Sequence, residues 1–283
     1  MLLKPFTFHA PKTLQSALEL YAALRDVRLQ AGGTFLLNSL KLLKKKAAKT
    51  PQNILSLEHI KELKGISVEQ NTVTIRSMTT MDEMHGSSLL TDYLSILKVS
   101  VKNIATQPVR NMATIGGNLT CRYTWTEMPA VMIALGAKMH FRGTDGSKEG
   151  ITAEEFFHKE AKTGGIFTHV TIPRDRDVCA AYFRAKKSPF VDIPLLSLCV
   201  TTRFQHNKFS GTIVVVNNAV TFARRDRVLE DFLNQKGASK EVIEEAVSHL
   251  DDPIYDTRSS DYKKHMFRVG IKHALYDLIK TQK

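Results

Sequence analysis

The chain has 283 residues, 43% hydrophobic and 24% charged, with a formal net charge of +12. That length accommodates two ordinary domains, and the composition is that of a globular protein rather than a disordered or fibrous one. The positive charge invites a nucleic-acid reading, but the basic residues are scattered and the one dense run, Lys41-Leu42-Leu43-Lys44-Lys45-Lys46, lacks interleaved aromatics and reads as the solvated face of a helix. No nucleic-acid partner is therefore expected.

Residues 130–137 form the longest apolar stretch, too short to span a bilayer. The opening Met1-Leu2-Leu3-Lys4-Pro5 lacks the apolar core of a secretory leader, so a cytoplasmic setting is expected. Cys121, Cys179 and Cys199 form no C-x-x-C pair, which argues against a zinc knuckle or a cysteine-held iron–sulfur cluster. They read as free thiols in a reducing compartment.

In chain order, Leu14, Ala17, Leu18, Tyr21 and Leu24 fall at helical spacing and predict a helix over 13–24. A short strand over 27–30 runs into a glycine turn, and Thr34 stands near the N-cap of a Leu- and Lys-rich helix over 36–48. A strand over 53–57 completes a β-turn-α-β arrangement. Residues 67–76 read as a hairpin around Gln70-Asn71, and Thr80 with Glu83 has capping-box spacing. A helix over 94–105 follows, ended by Pro108. A second glycine turn leads to a helix over 127–135, a strand over 138–142 and a polar turn over 143–150.

The mixed pattern continues through 166–172 to Pro173, and the charged stretch 174–177 is the best boundary. Beyond it come strands over 180–185, 195–204 and 211–217, then amphipathic helices over 239–250 and 262–279. The fold class expected is α+β: an N-terminal domain over 1–175, with lobes of about 1–57 and 58–175, followed by a C-terminal domain of strands packed on helices over 176–283.

The chemistry concentrates in two glycine pairs, Leu29-Gln30-Ala31-Gly32-Gly33-Thr34 and Thr114-Ile115-Gly116-Gly117-Asn118. Both read as turns at strand ends that adopt positive φ and bare their N–H groups to an anion. Neither is a Walker loop, and G-x-G-x-x-G is absent. Two convergent nests of this kind suit a pyrophosphate.

These residues resemble a family. Gln107-Pro108-Val109-Arg110-Asn111-Met112-Ala113-Thr114-Ile115-Gly116-Gly117-Asn118 is similar to the second FAD loop of the medium, flavoprotein subunits of molybdenum hydroxylases such as xanthine and carbon monoxide dehydrogenases. Ala31-Gly32-Gly33-Thr34 is similar to their first FAD loop, and Asp256-Thr257-Arg258-Ser259-Ser260-Asp261-Tyr262-Lys263 to their Arg-Ser-Ser-x-Tyr-Arg stretch. The resemblance implies a two-part FAD-binding domain and a smaller C-terminal domain.

It also implies site residues. Gly32, Gly33 and Thr34, with Leu29, Gln30 and Ala31 leading in, would seat the pyrophosphate. Thr114, Gly117 and Asn118, with Ile115 and Gly116, would complete the phosphate and flavin contacts. Ile104 matches an apolar adenine- or flavin-side contact, and Phe167 an apolar residue near the isoalloxazine. Arg184 stands where some members have a FAD-contacting lysine, and Glu127 where the family usually has a ribose-binding Asp. Each has a plainer reading: core packing for Ile104 and Phe167, a surface charge for Arg184, a helix-start acid for Glu127 and a self-satisfied turn for Asn118. The sequence departs from the family at Phe35, usually an acid, and over 121–126, usually small residues.

The function implied is that of an FAD-binding electron-transfer subunit. Partners would be a large subunit with the molybdenum cofactor and a small one with [2Fe–2S] clusters, and electrons would leave to an acceptor such as NAD. Two alternatives stand beside it: a flavin-free structural subunit of the same assembly, and a self-contained flavoprotein oxidoreductase.

Overall fold

The computed structural model describes residues 3–158, 164–188, 190–234, 236–256 and 260–281. Thr257, Arg258 and Ser259 of the C-terminal motif lie outside the described residues.

A small parallel sheet opens the chain. Strand β1 (Thr7–His9) leads through helix α1 (Leu14–Ala23) to β2 (Val27–Gln30), and helix α2 (Leu36–Lys45) crosses to β3 (Asn53–Ser56). The strand order is β1-β3-β2. Thr13 caps α1 by accepting from the Ser16 N–H, and Ala17 and Leu18 bury against Leu55, Leu57, Ile60 and Leu63. The sequence reading missed β1, three residues long and without a two-sided apolar pattern. Helix α2 begins where expected but ends at Lys45, and the N-cap position is Phe35, with no side-chain cap, rather than Thr34.

The next sheet is antiparallel, ordered β4-β5-β8-β6-β7. Strands β4 (Ile66–Glu69) and β5 (Thr72–Arg76) form the expected hairpin, and the Thr80–Glu83 capping box opens α3 (Met81–Gly86). Helix α4 (Ser95–Lys102) is shorter than expected: a 3-10 turn over Asp92–Leu94 precedes it, and Ala105 has φ 46°. Pro108 ends nothing; it sits in the first turn of α5 (Gln107–Arg110), where its missing N–H costs no helical bond. Helices α6 (Ile115–Thr120) and α7 (Met128–Ala134) then lead to β6 (Lys138–Arg142), β7 (Lys148–Thr152), α8 (Ala153–His158) and β8 (Ile166–Pro173). Because β7 starts at Lys148, the polar turn is shorter than its predicted span.

Strands β9 (Cys179–Ala185), β10 (Leu196–Gln205), β11 (Lys208–Asn217) and β12 (Arg224–Arg225) form a third, antiparallel sheet. Helices α9 (Arg227–Leu233), α10 (Lys240–Ala246), α11 (Asp252–Asp256) and α12 (Asp261–Lys280) follow. Leu198, Val200, Val214 and Val216 bury one face of the sheet against Phe267, Ile271 and Leu275 of α12. Cys199 and Val215, on the other face, join the core around α7. Covered on both faces, β10 is buried at every position over Leu196–Thr202 and loses the alternation of a half-exposed strand. For the same reason every residue of α7 is buried. The α+β class is the one expected from sequence.

Candidate functional site

The two glycine loops meet. A Cβ added to Gly32 would overlap the Met112 carbonyl oxygen and lie 2.7 Å from its carbon, and one added to Gly117 would lie 3.4 Å from the Ala31 Cβ. Glycine is therefore required at position 32 for close backbone approach rather than for its own conformation. Gly33 alone of the four has the left-handed backbone, at φ 70°.

The second pair differs from the sequence reading. Gly116 and Gly117 do not form a positive-φ turn; they belong to the first turn of α6, with Thr114 as N-cap. The Gly116 N–H donates to the Ser77 carbonyl at 2.8 Å, Gly117 to the Thr114 hydroxyl at 3.1 Å and Asn118 to the Thr114 carbonyl at 2.9 Å. These donors are already engaged, so the second loop is no open nest. Gly116 instead permits a close pass, since a Cβ there would come within 2.6 Å of the Ser77 carbonyl oxygen.

The first loop keeps its donors. Among the described residues, the N–H groups of Gly32, Gly33 and Thr34 donate no hydrogen bond, although all three residues are only partly buried. On the second loop, in the residue after Gly117, Asn118 Oδ1 is buried and accepts none. An unpaired buried oxygen carries a desolvation penalty of about 1–3 kcal/mol unless a ligand or water meets it. Three free N–H donors on one loop and an unpaired amide oxygen on the loop packed against it suit a polyoxygenated, phosphate-bearing ligand, so the residues present fit FAD at this place.

The remaining candidates lie elsewhere. Leu29 and Gln30 end β2, where the Gln30 carbonyl accepts from Leu57 at 2.9 Å. Ile115 is fully buried in the central core and Ile104 packs against it; the Ile104 carbonyl accepts from the Arg110 guanidinium at 3.0 Å. Phe167 is a core residue on Phe141, with ring centroids 5.2 Å apart.

Glu127 and Arg184, read separately from sequence, bind each other. Arg184 Nε lies 2.6 Å from Glu127 Oε1, with both side chains about 95% buried, and its other end lies 2.7 Å from Asp192 Oδ1. The Tyr182 hydroxyl donates to Glu127 Oε2 at 2.5 Å. Burial, reinforced by this carboxylate, pushes the Tyr182 hydroxyl well above its ordinary range. Burial opposes the Arg184 charge, but Glu127 and Asp192 outweigh it and hold the guanidinium above its usual value. Glu127 is thus held by Arg184 and Tyr182 and makes no side-chain helix cap, and Arg184 is not a surface charge.

Sequence reading missed Tyr182, Asp192 and Ser77. Tyr182 and Asp192 lie 55 and 8 residues from their partners, with no local pattern to reveal them.

This is the architecture of a flavoprotein component of an oxidoreductase: a parallel lobe and an antiparallel lobe meeting at two glycine loops, followed by a sheet-and-helix domain. Residues 4–175 match the family described as FAD binding domain in molybdopterin dehydrogenase, and the chain belongs to it. It is an FAD-binding medium subunit of the molybdenum hydroxylase type.

The chain is 28% identical to the carbon monoxide dehydrogenase medium chain of Hydrogenophaga pseudoflava, covering 95% of this chain and 96% of that one. It is 23% identical to the nicotinate dehydrogenase FAD-subunit of Eubacterium barkeri, covering 98% and 97%. Among solved structures it superposes on carbon monoxide dehydrogenase from Hydrogenophaga pseudoflava lacking the Mo-pyranopterin moiety of its molybdenum cofactor, with TM-score 0.87, 27% identity and 99% of both chains covered. No helix among the described residues is long and apolar enough to cross a membrane.

Proposed function

We propose that this chain carries electrons through FAD within a multi-subunit molybdenum-containing dehydrogenase, in the cytoplasm. A large partner would hold the molybdenum cofactor, a small partner the [2Fe–2S] clusters, and NAD would be the acceptor. The observation that supports this most is the set of free N–H donors at Gly32, Gly33 and Thr34, on a loop packed against the one that carries the unpaired Asn118 oxygen. Relatives named as medium chains and FAD-subunits support the assembly. Among the described residues no group of His, Cys, Asp and Glu could hold a metal ion. On this reading the metal centres belong to the partners.

FAD, when bound, exchanges electrons singly or in pairs; the protein's part is binding, position and electrostatics. Gly32, Gly33 and Thr34 take the pyrophosphate and Asn118 accepts from a ligand donor. Leu29, Gln30 and Ala31 lead into this seat, Thr114, Gly116 and Gly117 hold the second loop against it, and Ile104, Ile115 and Phe167 serve through the core packed beneath. Glu127 and Arg184 act through one another, fixing β9 against the start of α7. In this reading residues 1–175 are the FAD-binding domain, with lobes of about 1–57 and 58–175, and 176–283 the C-terminal domain.

The test is to purify the chain with its native subunits, release flavin by denaturation and count it, then add NADH to the intact protein without air. About one FAD per chain and bleaching of the flavin by NADH are expected. A colourless protein that takes up no added FAD would overturn the cofactor role, and a flavin that NADH leaves oxidised would remove NAD as acceptor.

A further inference from the structure

The segment over 121–126 is folded onto the residue that follows the first loop. The Phe35 and Tyr123 ring centroids are 4.2 Å apart, and Tyr123 and Trp125 stack at 4.3 Å with planes 26° apart. Rings this close leave no slot for a further ring between them. Phe35 directly follows the three free N–H donors, whereas Tyr123 and Trp125 follow α6, so the trio bridges the segments that follow the two loops. Tyr123 and Trp125 are half-buried, but Phe35 is 39% exposed. Phe35 is thus backed by Tyr123 and Trp125 and still reaches solvent.

We propose that Phe35, held by Tyr123 and Trp125, is a stacking face for a planar ring of the dinucleotide whose pyrophosphate sits on Gly32, Gly33 and Thr34. This ring contact rests on the flavin reading and adds to its phosphate seat. A ring one residue from the last phosphate donor is within reach of the base or flavin that the phosphates carry. Stacking on an aromatic side chain tolerates any flat heterocycle, because each has a π face. Adenine and isoalloxazine share that chemistry. Phe35 and its two supports are thus binding and positioning residues rather than catalytic ones.

The test strips flavin from the protein purified with its native subunits and titrates FAD, ADP and FMN by calorimetry. The proteins compared are the native one and the Phe35→Leu, Phe35→Tyr and Tyr123→Leu variants, with thermal melts confirming the fold of each. Phe35→Leu is expected to weaken FAD binding about tenfold, in the range of one lost aromatic stack, and Phe35→Tyr to restore it. Tyr123→Leu should weaken binding less, through loss of support. An equal loss for ADP assigns adenine to the ring; an equal loss for FMN assigns isoalloxazine.

Unchanged FAD affinity in Phe35→Leu would overturn the proposal while leaving the flavin reading intact. Tighter binding in either leucine variant would overturn it too, marking the trio as a filler of the seat. A native protein that takes up no FAD removes the flavin reading and this proposal together.

Discussion

The two glycine pairs look alike in the sequence and do different work in the fold. Gly32-Gly33 leaves a strand end with open donors, and Gly33 adopts a left-handed backbone. Gly116-Gly117 opens a helix, and its N–H groups are bonded to Ser77 and Thr114. The first pair keeps its donors unpaired; the second lets one backbone pass close to another. A glycine pair therefore signals that a side chain is excluded, and only the neighbouring atoms say whether a ligand or the protein itself excludes it.

The sharpest way to break the comparison is Gly32→Ala. Its methyl would overlap the Met112 carbonyl and part the loops, so a loss of about 3 kcal/mol or more is expected, at the upper end of overpacking. Bound flavin should be lost with it, as measured by chemical unfolding and flavin content. Next is Arg184→Met, which leaves Glu127 buried with only the Tyr182 hydroxyl. Stripping one partner from a buried pair costs about 3–5 kcal/mol, and urea unfolding should show it; an unchanged midpoint would mean that the pair is dispensable.

Gly116→Ala comes third. Its methyl meets the Ser77 carbonyl oxygen at 2.6 Å and the Ser77 Cβ at 2.8 Å, and about 1–3 kcal/mol should be lost with less effect on flavin than Gly32→Ala. Gly117→Ala is the mildest. Its closest approaches would be 3.2 Å to Thr114 Oγ1 and 3.4 Å to Ala31 Cβ, and alanine favours the helical backbone there by about 0.5–1 kcal/mol. A melting temperature within a few degrees of native is expected; a collapse like that of Gly32→Ala would erase the contrast between the pairs.

Elements with local signals were legible in the sequence: the Gln70-Asn71 hairpin, the Thr80–Glu83 capping box and the strands β2, β6, β9, β10 and β11 all lie within a few residues of their predicted bounds. The two FAD-loop motifs also carried the family. The place of Pro108 within a helix was not legible, because Pro suits a first turn as well as a break. Nor was it legible that Glu127 and Arg184, 57 residues apart, neutralise one another inside the core.

Folding alone settled which of the similar glycines keep their donors free and that Phe35 meets Tyr123 and Trp125. The cause lies in the range of the interactions. Propensity, capping and alternation act over a few residues and leave their mark on the sequence, whereas a buried charge or an open N–H is defined by whatever the folded chain brings against it.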